Sequence, residues 1–326
     1  MEVNILKKQD KVIVAVMVIV GVIALCIYIP PLIDYGTSRT KYNQLRDKYT
    51  TSVTESAESA VEEDIPTESI EESEEIPENA IVSTSSDVPE ESDELSSVTT
   101  TKDAAFPNAR YLEKEKDFTP ILKKISKEYK KLQKISVKHN ELLKENKDYI
   151  GWIYVPETSI SYPVVKSKDN KDYLRKAFDG SSSNSGSIFL DANCKDLLEE
   201  HPILYGHNMR DKSMFATLNS FVTDKDFVKE HPVFWFMTND RICLYQVFSA
   251  HKCDPDDRDI FGSQTTDYRT RQRWMEAVDK MKEKSVFESD VDVAYGDQVM
   301  TLSTCTSARV DRAVIHGKMI AYSGKK

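Results

Sequence analysis

Polar and apolar positions follow different rhythms in different parts of this chain. From Val12 to Ile33 every residue is uncharged and most are apolar. From about Thr50 to Asp103 no apolar rhythm is left, and Ser, Thr, Glu and Asp alternate with a few prolines. From Phe118 to about Asn146 the apolar positions Ile121, Leu122, Ile125, Tyr129, Leu132, Ile135, Leu142 and Leu143 recur at helical spacing among lysines, which predicts an amphipathic helix, broken at most once. Beyond it the period shortens. The stretches GWIYVP (Gly151 to Pro156), SISYPVV (Ser159 to Val165), SIFL (Ser187 to Leu190), PILYGH (Pro202 to His207), VFWFM (Val233 to Met237), RICLYQVFSAH (Arg241 to His251), DQVMTLSTC (Asp297 to Cys305) and RAVIHGKMIAY (Arg312 to Tyr322) are short, β-branched or aromatic, and bounded by Gly, Pro, Asn, Asp and Ser. They predict about eight strands. Helical patterning returns in Ser213 to Ser220, in Asp224 to Glu230 and in Tyr268 to Lys284, where Trp274, Val278 and Met281 share a side. This order fits a mainly β protein, a mostly antiparallel barrel with added helices and one long helix inserted before its last two strands.

The uncharged run would span about 33 Å as a helix, against about 30 Å of bilayer hydrocarbon, so it predicts a membrane anchor. A cleaved signal peptide has a shorter apolar core and an A-x-A-like site, and no convincing site of that kind is present. Lys7, Lys8 and Lys11 favour a cytoplasmic N-terminus, while Arg39, Lys41, Arg46 and Lys48 on the other side weaken that charge bias. The expected division is a short N-terminus over 1–11, an anchor over 12–33, an acidic stalk over 34–105, a helical brace over 106–147 and a β-barrel over 148–326.

The chain has 326 residues and a formal net charge of −10, and the acidic stretch has too little apolar area to offset the entropy of ordering it. As a coil of about 55 residues it would average roughly 40 Å end to end, with a taut limit of roughly 180 Å. Apart from Cys26 in the apolar run, the cysteines are Cys194, Cys243, Cys253 and Cys305, with no C-x-x-C pair and no disulfide-like spacing. The pair His251 and Cys253 lacks the second pair that a tetrahedral zinc site would need.

Cys305 is the cysteine whose setting suggests chemistry. Side chains alternate along a strand, so Thr301, Ser303 and Cys305 share one face and Met300 and Leu302 the other. In the last strand Arg312, Val314, His316 and Lys318 share a face. If these strands pair, a thiol and a guanidinium meet on the outer side of the barrel. A free thiol has a pKa of about 8.5, and a nearby cation raises its thiolate fraction. A fixed cation also suits the oxyanion of acyl transfer, which further needs a general acid and base. Among the six histidines, His207 follows a strand end at a glycine turn, from which it could reach across a groove. From position alone, a histidine that caps the loop is an equal reading.

TLSTC, followed shortly by RAVIHGKMI and preceded by ILYGHNM, together with GWIYVPETSISYPVV and KDNKDYL, resembles the sortases, the cysteine transpeptidases of Gram-positive cell surfaces. The resemblance covers most of Asn146 to Tyr322, and the helical insertion with the N-terminal helix is most similar to class B. It implies an eight-stranded sortase-like barrel, with Cys305 as nucleophile, His207 as general acid and base, and Arg312 as substrate positioner and oxyanion stabiliser. Arg309 is the competing arginine, placed in the predicted loop. By the same resemblance Asn170, Leu174, Ser303 and Thr304 line the peptide groove, with Leu174 in the core and Asn170 in a turn as the plainer alternatives. A further wall is expected near Gln264 to Tyr268.

The implied reaction cleaves a sorting motif after threonine, passes through a thioester and delivers the acyl group to an amine, with no metal or organic cofactor and no reason to assume calcium activation. The implied partners are secreted proteins with a C-terminal NPxTx or LPxTG-like signal, a peptidoglycan precursor amine or a pilin lysine, and the membrane, with no nucleic acid. The catalytic domain is then expected outside the cell, on a single-pass anchor, with the stalk extending its reach. Rival readings are a pilin-polymerising enzyme, a hydrolytic cysteine peptidase or wall amidase, and a catalytically idle peptide-binding scaffold.

Overall fold

In the computed structural model the described residues are 13, 15–24, 38–53, 108–112, 118–125, 134–195, 197, 201–257, 260–261, 270–306 and 310–324. Residues 54–99 form a separate unit that lies outside them. Of the predicted anchor, 15–24 is helical, with Val16, Met17, Ile19 and Val20 exposed, and the remainder falls largely outside the described residues. Among the described residues no helix is long and apolar enough to cross a membrane.

The β-branched and aromatic runs form the barrel. Strands β4 (Tyr149–Tyr154), β5 (Ser161–Lys166), β6 (Ile188–Leu190), β7 (Ile203–Tyr205), β8 (Val233–Met237), β9 (Arg241–Cys253), β10 (Val299–Cys305) and β11 (Arg312–Gly324) are ordered β10-β7-β6-β5-β4-β8-β9-β11. The β10–β11 pairing joins the two ends of that order, so these strands close on themselves. Closure removes the unpaired sheet edges that would otherwise invite association. The barrel is mixed: β5–β6 and β7–β10 are parallel and the remaining neighbours antiparallel. Every residue of β8 is buried, as expected of a strand covered on both faces.

Helix α6 (Arg271–Glu283) follows β9 and precedes β10, as the sequence predicts. It is capped by Thr270, whose side chain accepts from the Arg273 amide. It buries Trp274, Ala277, Val278 and Met281, one face of a helix. These pack with Phe248, Cys253, Val299 and Val314 into a second core on the outside of the barrel wall. The face of β11 expected to look outward is thus covered at Val314 and His316, both fully buried.

Two expectations for the N-terminal part are corrected. The brace is not one amphipathic helix: α2 (Phe118–Ile125) and α3 (His139–Glu145) are separated by strand β3 (Lys134–Val137), whose isoleucine and valine have the β-branched stiffness that favours strands. The stalk does not begin at residue 34. Residues 38–49 form a helix, α1, that continues into strand β1 (Thr50–Val53), which pairs antiparallel with β3. Helix α1 buries Tyr42, Leu45 and Tyr49. The Tyr42 hydroxyl donates to the Gly186 carbonyl and lies 3.1 Å from Ser187 Oγ, its ring meets Tyr162 edge-on, and Lys41 pairs with Asp179. Gly186 has φ +55°, and a Cβ there would lie 2.4 Å from the Tyr173 carbonyl, so only glycine fits. Strand β2 (Arg110–Leu112) pairs with β11. The acidic segment therefore leaves from an element docked on the catalytic body and is followed by another one docked on it.

Candidate active site

The site is assembled where β7 and β10 end and β11 begins. Cys305 is the last residue of β10 and stands opposite Arg312, the first of β11. The intervening turn is closed by the Thr306 amide donating to the Asp311 carbonyl at 2.9 Å. This short connection brings the two side chains together, and Arg312 Nη1 donates to Cys305 Sγ at 3.2 Å. Both residues are partly exposed, so a substrate can reach them. The Cys305 carbonyl accepts from Asn219 Nδ2 at 3.4 Å, which ties the strand end to helix α4 (Leu218–Phe221). Arg309 and the wall expected near Gln264 to Tyr268 lie outside the described residues.

His207 arrives by a different route. Strand β7 runs parallel to β10 with Tyr205 opposite Ser303, and the Gly206 amide then donates to the Ser303 carbonyl at 3.2 Å. Gly206 is needed for packing: a Cβ there would meet Ile188 Cδ1 at 2.4 Å and the Phe215 ring at 2.8 Å. The next residue is His207, half-buried, whose Nε2–H donates to the Leu174 carbonyl at 2.9 Å while its own carbonyl accepts from the Phe215 amide. That bond fixes the orientation of the ring and commits the Nε2 proton.

The expected groove residues separate into distinct situations. Leu174 sits in a single 3-10 turn (Asp172–Leu174) and acts on the site through its main chain, by holding His207. Asn170 is partly exposed and firmly oriented, with Nδ2 donating to Asp191 Oδ2 at 3.1 Å and Oδ1 accepting from the Ala192 amide at 2.7 Å. Ser303 is on the Cys305 face but fully buried, with a hydroxyl that has no hydrogen-bond partner among the described residues. Thr304 corrects the expectation. Alternation turns it to the opposite face from Cys305, it is 0% exposed, and its hydroxyl donates to the Gly206 carbonyl at 2.7 Å. It ties β10 to the His207 turn instead of facing a peptide.

Sequence reasoning missed two groups here. The Tyr205 hydroxyl donates to Asp191 Oδ2 at 2.8 Å, and its ring meets those of Phe189 and Phe261 at 5.5 and 6.2 Å between centroids. Burial, followed by the charge of Asp191, raises its pKa far above the ordinary phenol value, while Arg312 works in the opposite direction. Its position two residues before His207 was the available signal. Asp191, directly after the strand SIFL, carried none beyond being an acid beside an apolar run.

A partly exposed thiol with a guanidinium on its sulfur, and an oriented imidazole in the turn after the neighbouring strand, can carry out nucleophilic acyl transfer. Comparison with known proteins places this arrangement. Residues 153–320 match the family described as Sortase domain.

The chain belongs to the sortase family.

It is 37% identical to sortase B of Staphylococcus aureus over 205 residues, covering 59% of this chain and 82% of the relative. To sortase B of Listeria monocytogenes it is 36% identical over 184 residues, covering 55% and 73%. A solved Staphylococcus aureus sortase B–substrate complex superposes with a TM-score of 0.51 at 37% identity, covering 56% of this chain and 84% of that one. This sortase is thus of class B, a cysteine transpeptidase of the cell-wall anchoring kind, on the eight-stranded mixed barrel of those structures.

Proposed function

We propose that this sortase is held at the outer face of a Gram-positive membrane by the apolar run from Val12 to Ile33, cleaves a C-terminal sorting signal of the NPxTx or LPxTG-like kind after its threonine, and transfers the protein to an amine of the peptidoglycan. The observation that carries the reading is the 3.2 Å contact between Arg312 Nη1 and Cys305 Sγ, with His207 in the turn that follows β7, the strand paired with the Cys305 strand. The Cys305 thiolate attacks the carbonyl carbon after threonine, and the Arg312 guanidinium stabilises the oxyanion that forms. The C–N bond then breaks, His207 gives its proton to the departing amine, and a thioester remains on Cys305. The incoming amine attacks that thioester, His207 takes the surplus proton, and a new amide leaves with the thiolate restored.

The length and polarity of the apolar run support the anchor, as does the helical, apolar and exposed stretch within it. Helix α1 begins only a few residues beyond the run, so the barrel works close to the membrane surface. The test uses the full chain in detergent, mixed with NPxTx and LPxTG-like peptides with and without oligoglycine, and reads intact mass. A covalent adduct absent in Cys305→Ala, with an amine-joined product, supports the reading. Hydrolysis that no amine diverts refutes transfer, and the absence of an adduct with every peptide refutes the chemistry.

A further inference from the structure

Asp191 follows β6 and is 3% exposed. A buried carboxylate is costly unless donors surround it. Asp191 has them: the Tyr205 hydroxyl at 2.8 Å and Asn170 Nδ2 at 3.1 Å on Oδ2, and the Asn193 amide at 2.7 Å on Oδ1. Two of these donors are side chains at the site, one beside the His207 turn and one in the connection between β5 and β6.

The bonds decide orientation as well as position. A side-chain amide can flip, exchanging its oxygen for its nitrogen at little steric cost. At Asn170 the flip is blocked from both sides. Oδ1 receives the Ala192 N–H at 2.7 Å and Nδ2 gives one hydrogen to Asp191; reversal would set donor against donor and carbonyl against carboxylate. Among the described residues the second Nδ2 hydrogen has no acceptor, which leaves it as a donor for a ligand. Tyr205 is polarised in the complementary sense. Its proton is committed to Asp191, so its oxygen can only accept, and Arg312 lies within its electrostatic reach.

We propose that Asp191 is a positioning residue of the transpeptidation, whose carboxylate orients the Asn170 amide and the Tyr205 phenol so that the groove presents a donor at 170 and an acceptor at 205 to the peptide. The proposal rests on the transpeptidase reading. The ligand chemistry it specifies is a carbonyl-type oxygen of the sorting peptide opposite Asn170.

The test uses the full-length enzyme in detergent with NPxTx and LPxTG-like sorting peptides as acyl donors to Cys305. Asp191→Asn keeps the shape and removes the charge, and its amide oxygen can serve Tyr205 and Asn170 only by setting its own NH2 against the Asn193 N–H. Peptide KM is expected to rise about tenfold, the scale of one lost oriented hydrogen bond, with kcat altered much less. Alkylation of Cys305 by iodoacetamide should proceed at the wild-type rate. The swap Asp191→Asn with Asn170→Asp restores a complementary pair between the two positions but removes the outward donor. It should recover the melting temperature without recovering KM, and it keeps the test decisive if the single variant is unstable. A KM equal to wild type in Asp191→Asn, or one that recovers together with stability in the swap, overturns the proposal by making Asp191 merely structural. Absence of any acyl-enzyme in the wild type overturns the transpeptidase reading and this proposal with it.

Discussion

Acid should unfold this sortase through three buried histidines, and the size of the effect follows from their surroundings. His201 Nε2 lies 2.6 Å from Thr301 Oγ1, which lies 2.7 Å from His316 Nδ1, and the His316 ring stacks on His251 at 5.1 Å. One threonine hydroxyl serves both rings, donating to one nitrogen and accepting from the other. If both rings were cationic, neither nitrogen could accept, and the hydroxyl proton would lose its partner. Burial is the first cause that lowers all three pKa values, to about 4 for His201 and His251 and well below the ordinary value for His316, where the other two rings add repulsion. The charged groups acting from outside are Lys284, which lowers His251 and His316 further, and Asp257, which raises His251 and pairs with Lys284 at 2.7 Å.

The sign follows directly. Between about pH 6.5 and pH 4 the unfolded chain binds these protons and the folded one does not, so stability is whole above 6.5 and is lost as pH falls. A descent from 6.5 to about 4 corresponds to about 3 kcal/mol at each of His201 and His251. Together that is comparable to the whole stability of a typical domain, about 5–15 kcal/mol. Urea unfolding followed by tryptophan fluorescence at pH 7.5, 6.0 and 4.5 should show the midpoint collapsing toward the lowest pH. His251→Leu should flatten the slope by about one proton, or about 1.4 kcal/mol per pH unit. A midpoint unchanged between pH 7.5 and 4.5 refutes the reasoning.

Other consequences concern the reaction and its setting. Arg312→Ala should lower the acylation rate about 10²–10³-fold, as expected for loss of an oxyanion donor, and Arg312→Lys should not restore it because an ammonium lacks the planar fork; rapid-quench mass spectrometry reads both. Gly206→Ala should cost about 1–3 kcal/mol by overpacking against Ile188 and Phe215 and slow acylation by displacing His207, seen as a lower melting temperature together with a lower kcat. Replacing 54–106 by a Gly/Ser linker of about 20 residues should leave anchoring in cells unchanged, because α1 and β1 already dock the start of that segment on the catalytic body. Reduced wall anchoring with normal peptide turnover would show instead that the segment sets reach.

The barrel strands were legible because nearly all of them are β-branched or aromatic runs cut by turn residues, and α6 because Trp274, Val278 and Met281 keep helical spacing. The chemistry was legible for the same local reason: Cys305 ends one strand and Arg312 begins the next, with only a turn between them. The docking of α1 was hidden, since four lysines and arginines and a neighbouring acidic tract mask the buried Tyr42, Leu45 and Tyr49. Strand β3 was hidden because its isoleucine also fits a helical period.

The order of apolar and polar residues by itself determined the strand content, the inserted helix and the pairing of a thiol with a guanidinium, because these depend on neighbours within a few residues or across one turn. Only the tertiary structure decided that His207 is held by the Leu174 carbonyl, that Asp191 orients Asn170 and Tyr205, and that His201 and His316 share the Thr301 hydroxyl while His251 stacks on His316. The physical reason is that hydrogen bonds between remote strands depend on register and barrel closure, and residue spacing along the chain carries no record of either.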